Sequence, residues 1–228
     1  MLADSEFIAF LVQAQALQFG SFTLKSGRVS PYFFNSARFH TGPRLMRLAQ
    51  HFARTVQAHA PRATIVFGPA YKGIPLAVAT AAALSTATGR EVGYLFNRKE
   101  AKTHGDAGLF VGKTPGPDDR LVIVDDVITD GQTKLEAVAA LRATFDTPID
   151  ALVIAFNRME QDAAGRDALH EFERATGIPV QAIVSLAELE AALAGGMLRE
   201  LGPGAPPVAQ VLAGIRQYRA RYGSSSAH

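Results

Sequence analysis

Residues 121–138 read "LVIVDDVITDGQTKLEAV". Four apolar residues run into two adjacent acids, Asp125 and Asp126. A Thr-Asp-Gly turn follows, and then a segment with the composition of a helix. The turn 129–133 offers consecutive backbone N–H groups and the hydroxyls of Thr129 and Thr133. The helix predicted over 132–144 adds the positive end of its dipole, so the whole forms a phosphate cradle. Carboxylates repel an anion, so the ligand must also carry something a carboxylate accepts from, or a metal. A sugar phosphate supplies both: vicinal hydroxyls for Asp125 and Asp126, and a phosphate for the turn. The pattern is not a Walker loop, because no Gly-Lys-Ser/Thr follows a four-residue spacer, and it is not the Rossmann glycine fingerprint. A single aspartate at a strand end is ordinarily a turn or cap residue. An adjacent pair before this turn exceeds what capping needs.

Other segments could serve the same ligand. "GPAYKG" (68–73) places Tyr71 and Lys72 on a tight loop, where a Gly-Pro turn lets the backbone approach a pyrophosphate. Its ordinary reading is a strand–helix turn with a solvated lysine, since lysines are mostly exposed. "NRKEAKTHGDAG" (97–108) carries Arg98, Lys99, Lys102 and His104 within seven residues. Its polarity and glycines predict a mobile loop. A solvated charged loop is the ordinary reading, and the density of cations opposite a phosphate site argues against it. "KSGRVSPYFFN" (25–35) sets Lys25 beside Phe33 and Phe34. Successive strand residues point to opposite faces, so one of the two rings packs inward and the other can face a crevice. Arg158 lies just past a buried strand, and its fork is suited to a ligand carboxylate.

The surrounding elements must position these groups. Residues 4–17 predict a helix with an apolar stripe of Phe7, Phe10, Leu11, Ala14 and Leu17. Residues 19–37 read as a hairpin turning at Ser26-Gly27. Pro43 opens a second helix. Strands and helices then alternate: strand 63–67 and helix 74–87; strand 91–96 and a long polar loop, 97–107; strand 120–125 and helix 132–144; strand 149–156 and helix 166–176; strand 179–186 and a short helix. A last helix is expected over 208–221. Continuous apolar strands alternating with amphipathic helices imply an α/β fold with a central parallel sheet covered on both faces. In such a sheet ligands bind beyond the carboxyl ends of the strands, where 68–73, 97–105, 125–133 and 157–158 all fall.

Composition sets the class. The chain has 228 residues, 48% hydrophobic and 19% charged, which suits one globular domain. A net charge of +2 with no long basic tract gives no argument for nucleic acid. With no cysteine, disulfides, zinc–thiolate sites and a thiol nucleophile are excluded. No apolar run reaches the roughly 20 residues of a membrane span, and the first residues lack the pattern of a signal peptide. A cytoplasmic location is the expectation.

"VIVDDVITDGQT" resembles the recognition motif for ribose 5-phosphate and diphosphate in the type I phosphoribosyltransferases. The motif comprises Asp125, Asp126, Val127, Ile128, Thr129, Asp130, Gly131, Gln132 and Thr133. The segments 24–35, 68–77, 96–108 and 156–158 carry the likeness further, over roughly residues 5–190, toward the branch that uses orotate. The resemblance implies a single domain, 1–228, in which residues 1–40 form a hood. It implies transfer of ribose 5-phosphate from 5-phosphoribosyl 1-diphosphate to orotate, giving orotidine 5′-monophosphate and diphosphate. Magnesium would be bound mainly through the diphosphate, with no dedicated protein ligand set. Lys25, Tyr71 and Lys72 would touch the donor. Arg98, Lys99, Lys102 and His104 would face the pyrophosphate, with Lys102 and Asp126 as the catalytic candidates. Phe33, Phe34, Thr129 and Arg158 would hold orotate. The resemblance also implies a homodimer in which the cationic loop closes over the neighbouring subunit's site. Asp130 and Gln132 depart from the family pattern, which favours small residues there. Two alternatives remain at this stage: another phosphoribosyltransferase with a different base, and a non-catalytic protein that senses the ribosyl diphosphate.

Overall fold

The computed structural model describes residues 5–24, 26–102, 108–128, 131–162 and 164–224; at 101 and 102 only the backbone is described. The chain divides into two compact units. The first holds Met1–Arg44, Phe156–Asp167 and Ile183–His228, and the second holds Leu45–Ala155 and Ala168–Ala182.

The first unit begins with α1 (Ser5–Gln13), which buries Phe7, Ile8, Phe10 and Leu11. The helix expected to reach 17 stops earlier. Gln15 takes φ 56°, and the amides of Gln15 and Ala16 close back on the carbonyls of Val12 and Leu11. That is a left-handed helix stop, and Leu17 continues the apolar pattern as a strand residue. β1 (Leu17–Thr23) pairs antiparallel with β2 (Val29–Phe34), from Leu17 opposite Phe34 to Thr23 opposite Val29. The expected hairpin is therefore present. α7 (Val208–Tyr222) packs on β2 and on α6 (Leu186–Ala194). A Cβ on Gly214 would sit 3.1 Å from Pro31 Cβ, so a side chain there would crowd the helix against the strand. Ser185 and Glu188 form a reciprocal capping box at the start of α6.

The second unit is built on the sheet. α2 (Gly42–His59) has Pro43 in its first turn and leads to β3 (Ile65–Gly68) and α3 (Gly73–Thr88). β4 (Gly93–Lys102), β5 (Gly108–Gly112), β6 (Leu121–Asp125), α4 (Gln132–Thr144), β7 (Ile149–Asn157), α5 (Ala168–Thr176) and β8 (Val180–Ser185) follow. The six strands are ordered β5-β4-β3-β6-β7-β8. β3 runs parallel to β4 and β6, and β6 parallel to β7. Ile65, Phe67, Leu121 and Ile123 pack with Ala137, Val138 and Leu141 of α4 and with Leu169 and Phe172 of α5. The alternate residues Val66 and Val122 are also fully buried, as expected when both faces of a sheet are covered. α3 packs on β3, β4 and β6.

Of the polar loop expected over 97–107, residues 97–102 are strand instead, and 103–107 lie outside the described residues. β4 continues to Lys102 and pairs antiparallel with β5, so the sheet is mostly rather than wholly parallel. The added stretch, 97–102, is charged and short on apolar residues. Nothing in its own hydrophobic pattern marks it as sheet, and charge is what exposed edges tend to carry. Among the described residues no helix is long and apolar enough to cross a membrane.

Candidate active site

In the second unit, β3 and β6 are neighbours, and the chain leaves them in opposite directions. β3 leads through α3 to β4 on one side, and β6 leads through α4 to β7 on the other. That reversal is a switch point, and the crevice beyond the carboxyl ends of such strands is where α/β sheets bind ligands. Two sequence candidates meet there: Lys72 Nζ lies 2.9 Å from Asp126 Oδ2. Each follows one of the two strands. The β3 exit is tight, because a Cβ on Gly68 would lie 2.0 Å from the Gly73 carbonyl oxygen. Ala70 N donates to Asn97 Oδ1 at 3.1 Å and ties this loop to β4. Neither α3 nor α4 has a side-chain cap at its N-terminus, where Lys72 and Gly131 are the cap residues. The positive ends of both helices therefore open beyond neighbouring strand ends.

The acid pair is buried, each residue 7% exposed. Asp125 Oδ1 accepts the Asp126 amide at 2.8 Å, and Asp126 Oδ1 accepts the Val127 amide at 2.8 Å. Lys134 Nζ reaches Asp125 Oδ2 at 2.7 Å. Burial pushes the Asp125 carboxyl above its ordinary range. The Lys134 ammonium opposes that shift, and the Asp126 charge adds to it. Ile128 turns into the core, and Val127 is half-buried. Gly131 takes φ 74°, and its carbonyl accepts from Lys134 and Leu135 to start α4. Gln132 donates to Glu136 at 2.9 Å, and Thr133 is exposed. Thr129 and Asp130 lie outside the described residues.

The cationic segment also lies partly in view. Lys99 Nζ is 4.9 Å from the centre of the Tyr71 ring, and Tyr71 is 65% exposed. Arg98 Nη1 donates to the Gly108 carbonyl at 3.1 Å, across the β4–β5 ribbon. Lys102 ends β4, but its side chain is outside the description, as are His104 and, in the first unit, Lys25.

The first unit gathers a second cluster. Phe34 stacks on Phe156, with ring centres 5.7 Å apart and planes 13° from parallel. Phe33, the more exposed ring, stacks on Phe22 at 5.6 Å. Arg158 Nε and Nη2 lie 3.0 and 2.8 Å from Glu160 Oε1, which also accepts from the buried Tyr32 hydroxyl at 2.9 Å. Burial and the Glu160 charge push the Tyr32 phenol well above its ordinary value. Burial alone would lower the Arg158 guanidinium; Tyr32 and Glu160 outweigh it and raise it. Arg158 is thus a fixed cation with one edge already held by Glu160.

Sequence reasoning missed three of these residues. Lys134 had a readable signal. It shares the buried face of α4 with Ala137, Val138 and Leu141, at the i, i+3, i+4, i+7 spacing of an apolar stripe. A lysine on such a stripe requires a buried acid. Glu160 and Tyr32 had none, because 128 residues separate the two.

Among the described residues no cluster of three or more acids, histidines or cysteines could hold a metal, and both acids of the pair already face lysines.

Residues 36–161 match the family model described as the phosphoribosyl transferase domain. An orotate phosphoribosyltransferase of Methylococcus capsulatus is 44% identical over 97% of this chain and 98% of its own length. One from Nitrosococcus oceani is 46% identical over 82% of this chain and 84% of its own. The crystal structure of an orotate phosphoribosyltransferase from Francisella tularensis superposes with a TM-score of 0.80 at 33% identity, covering 96% of this chain and all of that one.

Proposed function

The chain belongs to the phosphoribosyltransferase family, and from that premise we propose that it transfers ribose 5-phosphate from 5-phosphoribosyl 1-diphosphate to orotate. The products are orotidine 5′-monophosphate and diphosphate, a step of pyrimidine nucleotide synthesis. The likeness to curated orotate phosphoribosyltransferases over nearly the whole chain carries this reading. The acid pair at the switch point supports the donor half of it.

In this reading Asp126 accepts from the ribose hydroxyls, displacing the exposed Lys72, and Asp125 fixes its neighbour. The turn from Val127 to Thr133, including Ile128, Thr129, Asp130, Gly131 and Gln132, holds the 5-phosphate at the start of α4. Tyr71, Lys72 and Lys25 bind the diphosphate side. Orotate's ring nitrogen forms a bond to the anomeric carbon and gives up its proton, while the bond from that carbon to the diphosphate oxygen breaks and the released diphosphate can take the proton. The transition state has oxocarbenium character, and the leaving group gains negative charge, as in glycoside chemistry. Arg98, Lys99, Lys102 and His104 stabilise that charge, Lys102 foremost. A magnesium ion, held mainly by the diphosphate, would neutralise part of it. Arg158 presents its fork to the orotate carboxylate, with Thr129 assisting, and Phe33 and Phe34 contact the ring.

We read 1–228 as one catalytic domain whose residues 1–40 contribute the base-side hood. It acts in the cytoplasm as a homodimer in which the cationic loop of each subunit serves the other's site. The deciding experiment is turnover by the purified protein with magnesium and the donor, followed by loss of orotate absorbance. Inert orotate, with uracil, hypoxanthine or adenine consumed instead, would make the substrate assignment wrong.

A further inference from the structure

We infer that Lys134 is a positioning residue of the donor site, neutralising Asp125 from beneath so that the acid pair presents one net charge to a phosphorylated ligand. This rests on the reading of the acid pair as the donor site, and it assigns a role to a residue that the motif itself does not require.

The geometry makes the two acids unequal. Asp125 is held at both oxygens by the protein, through the Asp126 amide at 2.8 Å and Lys134 Nζ at 2.7 Å. Its partner is itself buried: the Lys134 side chain is 9% exposed. Asp126 is also held at both oxygens, Oδ1 by the Val127 amide at 2.8 Å, but the lysine on its Oδ2 is Lys72, whose side chain is 69% exposed. Water and ligand can compete for the second pair and not for the first. Lys134 also occupies the first position of α4's buried stripe, where the other members are Ala137, Val138 and Leu141. A lysine is stable in such a place only when paired, because an unpaired buried charge is strongly disfavoured. Two adjacent uncompensated carboxylates would repel a donor that carries phosphates at both ends of its ribose. Cancelling the deeper charge removes half of that repulsion. It also leaves Asp126, the acid that Lys72 can release, to take the ribose hydroxyls.

The test is a double-mutant cycle read by donor binding. Calorimetry with 5-phosphoribosyl 1-diphosphate and magnesium is run on the wild type, Lys134→Met, Asp125→Asn and the double variant. We expect Lys134→Met to weaken donor binding about tenfold and to raise the donor KM without a matching rise for orotate. We expect the double variant to bind no worse than Asp125→Asn alone, since coupled neighbours are not additive. Lys134→Met binding within twofold of wild type, or losses that multiply in the double variant, would overturn the inference. If Lys134→Met fails to fold, the two variants that carry Asp125→Asn decide. With no carboxylate left to neutralise, the methionine must cost nothing further, and a tenfold loss there overturns the role. A wild type that binds no donor at all would sink the donor reading and this inference with it, a result distinct from a normal wild type with an indifferent Lys134.

Discussion

Lys72 Nζ and Asp126 Oδ2, 2.9 Å apart, join the exits of two neighbouring parallel strands from which the chain departs in opposite directions. The most direct expectation of the donor reading, beyond the Lys134 cycle, starts from this pair.

Asp126→Asn should weaken donor use while leaving thermal stability nearly unchanged. The ion pair is half solvated, and such pairs contribute at most about 1 kcal/mol. A lost hydrogen bond from a ribose hydroxyl to a carboxylate costs about 1.5–3 kcal/mol, or roughly tenfold to a hundredfold in donor affinity. Donor titration and a melting curve measure the two quantities side by side. Unchanged donor binding with a large drop in melting temperature would return Asp126 to a purely structural role.

Arg158→Ala should raise the KM for orotate more than that for the donor. Truncating one partner of a buried charge pair costs about 2–5 kcal/mol. Arg158→Lys keeps the charge and loses the fork, so it should recover only part of the loss. Since Glu160 pairs with this guanidinium and the Tyr32 ring lies 5.8 Å from it, the alanine variant should be less stable as well. Equal effects on both substrates would argue against a base-side role.

Mixing Lys102→Ala with Asp126→Asn tests the shared site. If each loop serves the other subunit, a mixed dimer has one site with both lesions and one with neither. Equal amounts reassorting at random give about half mixed dimers, so activity should return to about a quarter of wild type. Mass spectrometry of tagged chains verifies the mixing. Verified mixed dimers with no recovered activity, or a monomer by light scattering, would remove the shared site.

Asp119 predicts an acid-sensitive increment of stability. Burial would raise its carboxyl, yet hydrogen bonds from Lys113, Gly116 and Thr64 outweigh that and hold it at about 2. The folded value is below the unfolded one, so the folded state binds fewer protons. The contribution is therefore full above the unfolded pKa of about 3.9 and is lost as pH falls through the folded value. The stability gap between wild type and Asp119→Asn, measured by urea unfolding, should be full at pH 6 and about half gone by pH 3. A gap that stays constant across that range would show that the carboxylate's charge is not what matters.

The alternation of strands and helices was legible because each core strand is a continuous apolar run and each helix carries a stripe. Helix 132–144 emerges with those bounds. The β4–β5 ribbon was not legible, because the outer half of β4 carries no run of hydrophobes and is held in the sheet by pairing with another strand. The end of α1 was missed for a different reason: a left-handed Gln15 interrupts a stripe whose spacing continues through Leu17.

For the site, the acid pair and the turn behind it were legible as candidates in the order of residues, because the whole motif is contiguous. Adjacent carboxylates before a helix start raised the expectation of a ligand with both hydroxyls and phosphate. The place of Lys134 on the apolar stripe of α4 signalled a buried acid, but only the tertiary structure decided which acid it meets and what compensates the other. Lys134 reaches Asp125 back across the turn that separates β6 from α4, and Lys72 reaches Asp126 from the loop that follows a different strand, β3. Tyr32 reaches Glu160 across 128 positions of the chain. Ion pairing depends on separations of a few ångströms, and sequence order constrains those only within a single element; between elements, the packing of the sheet and its helices sets them.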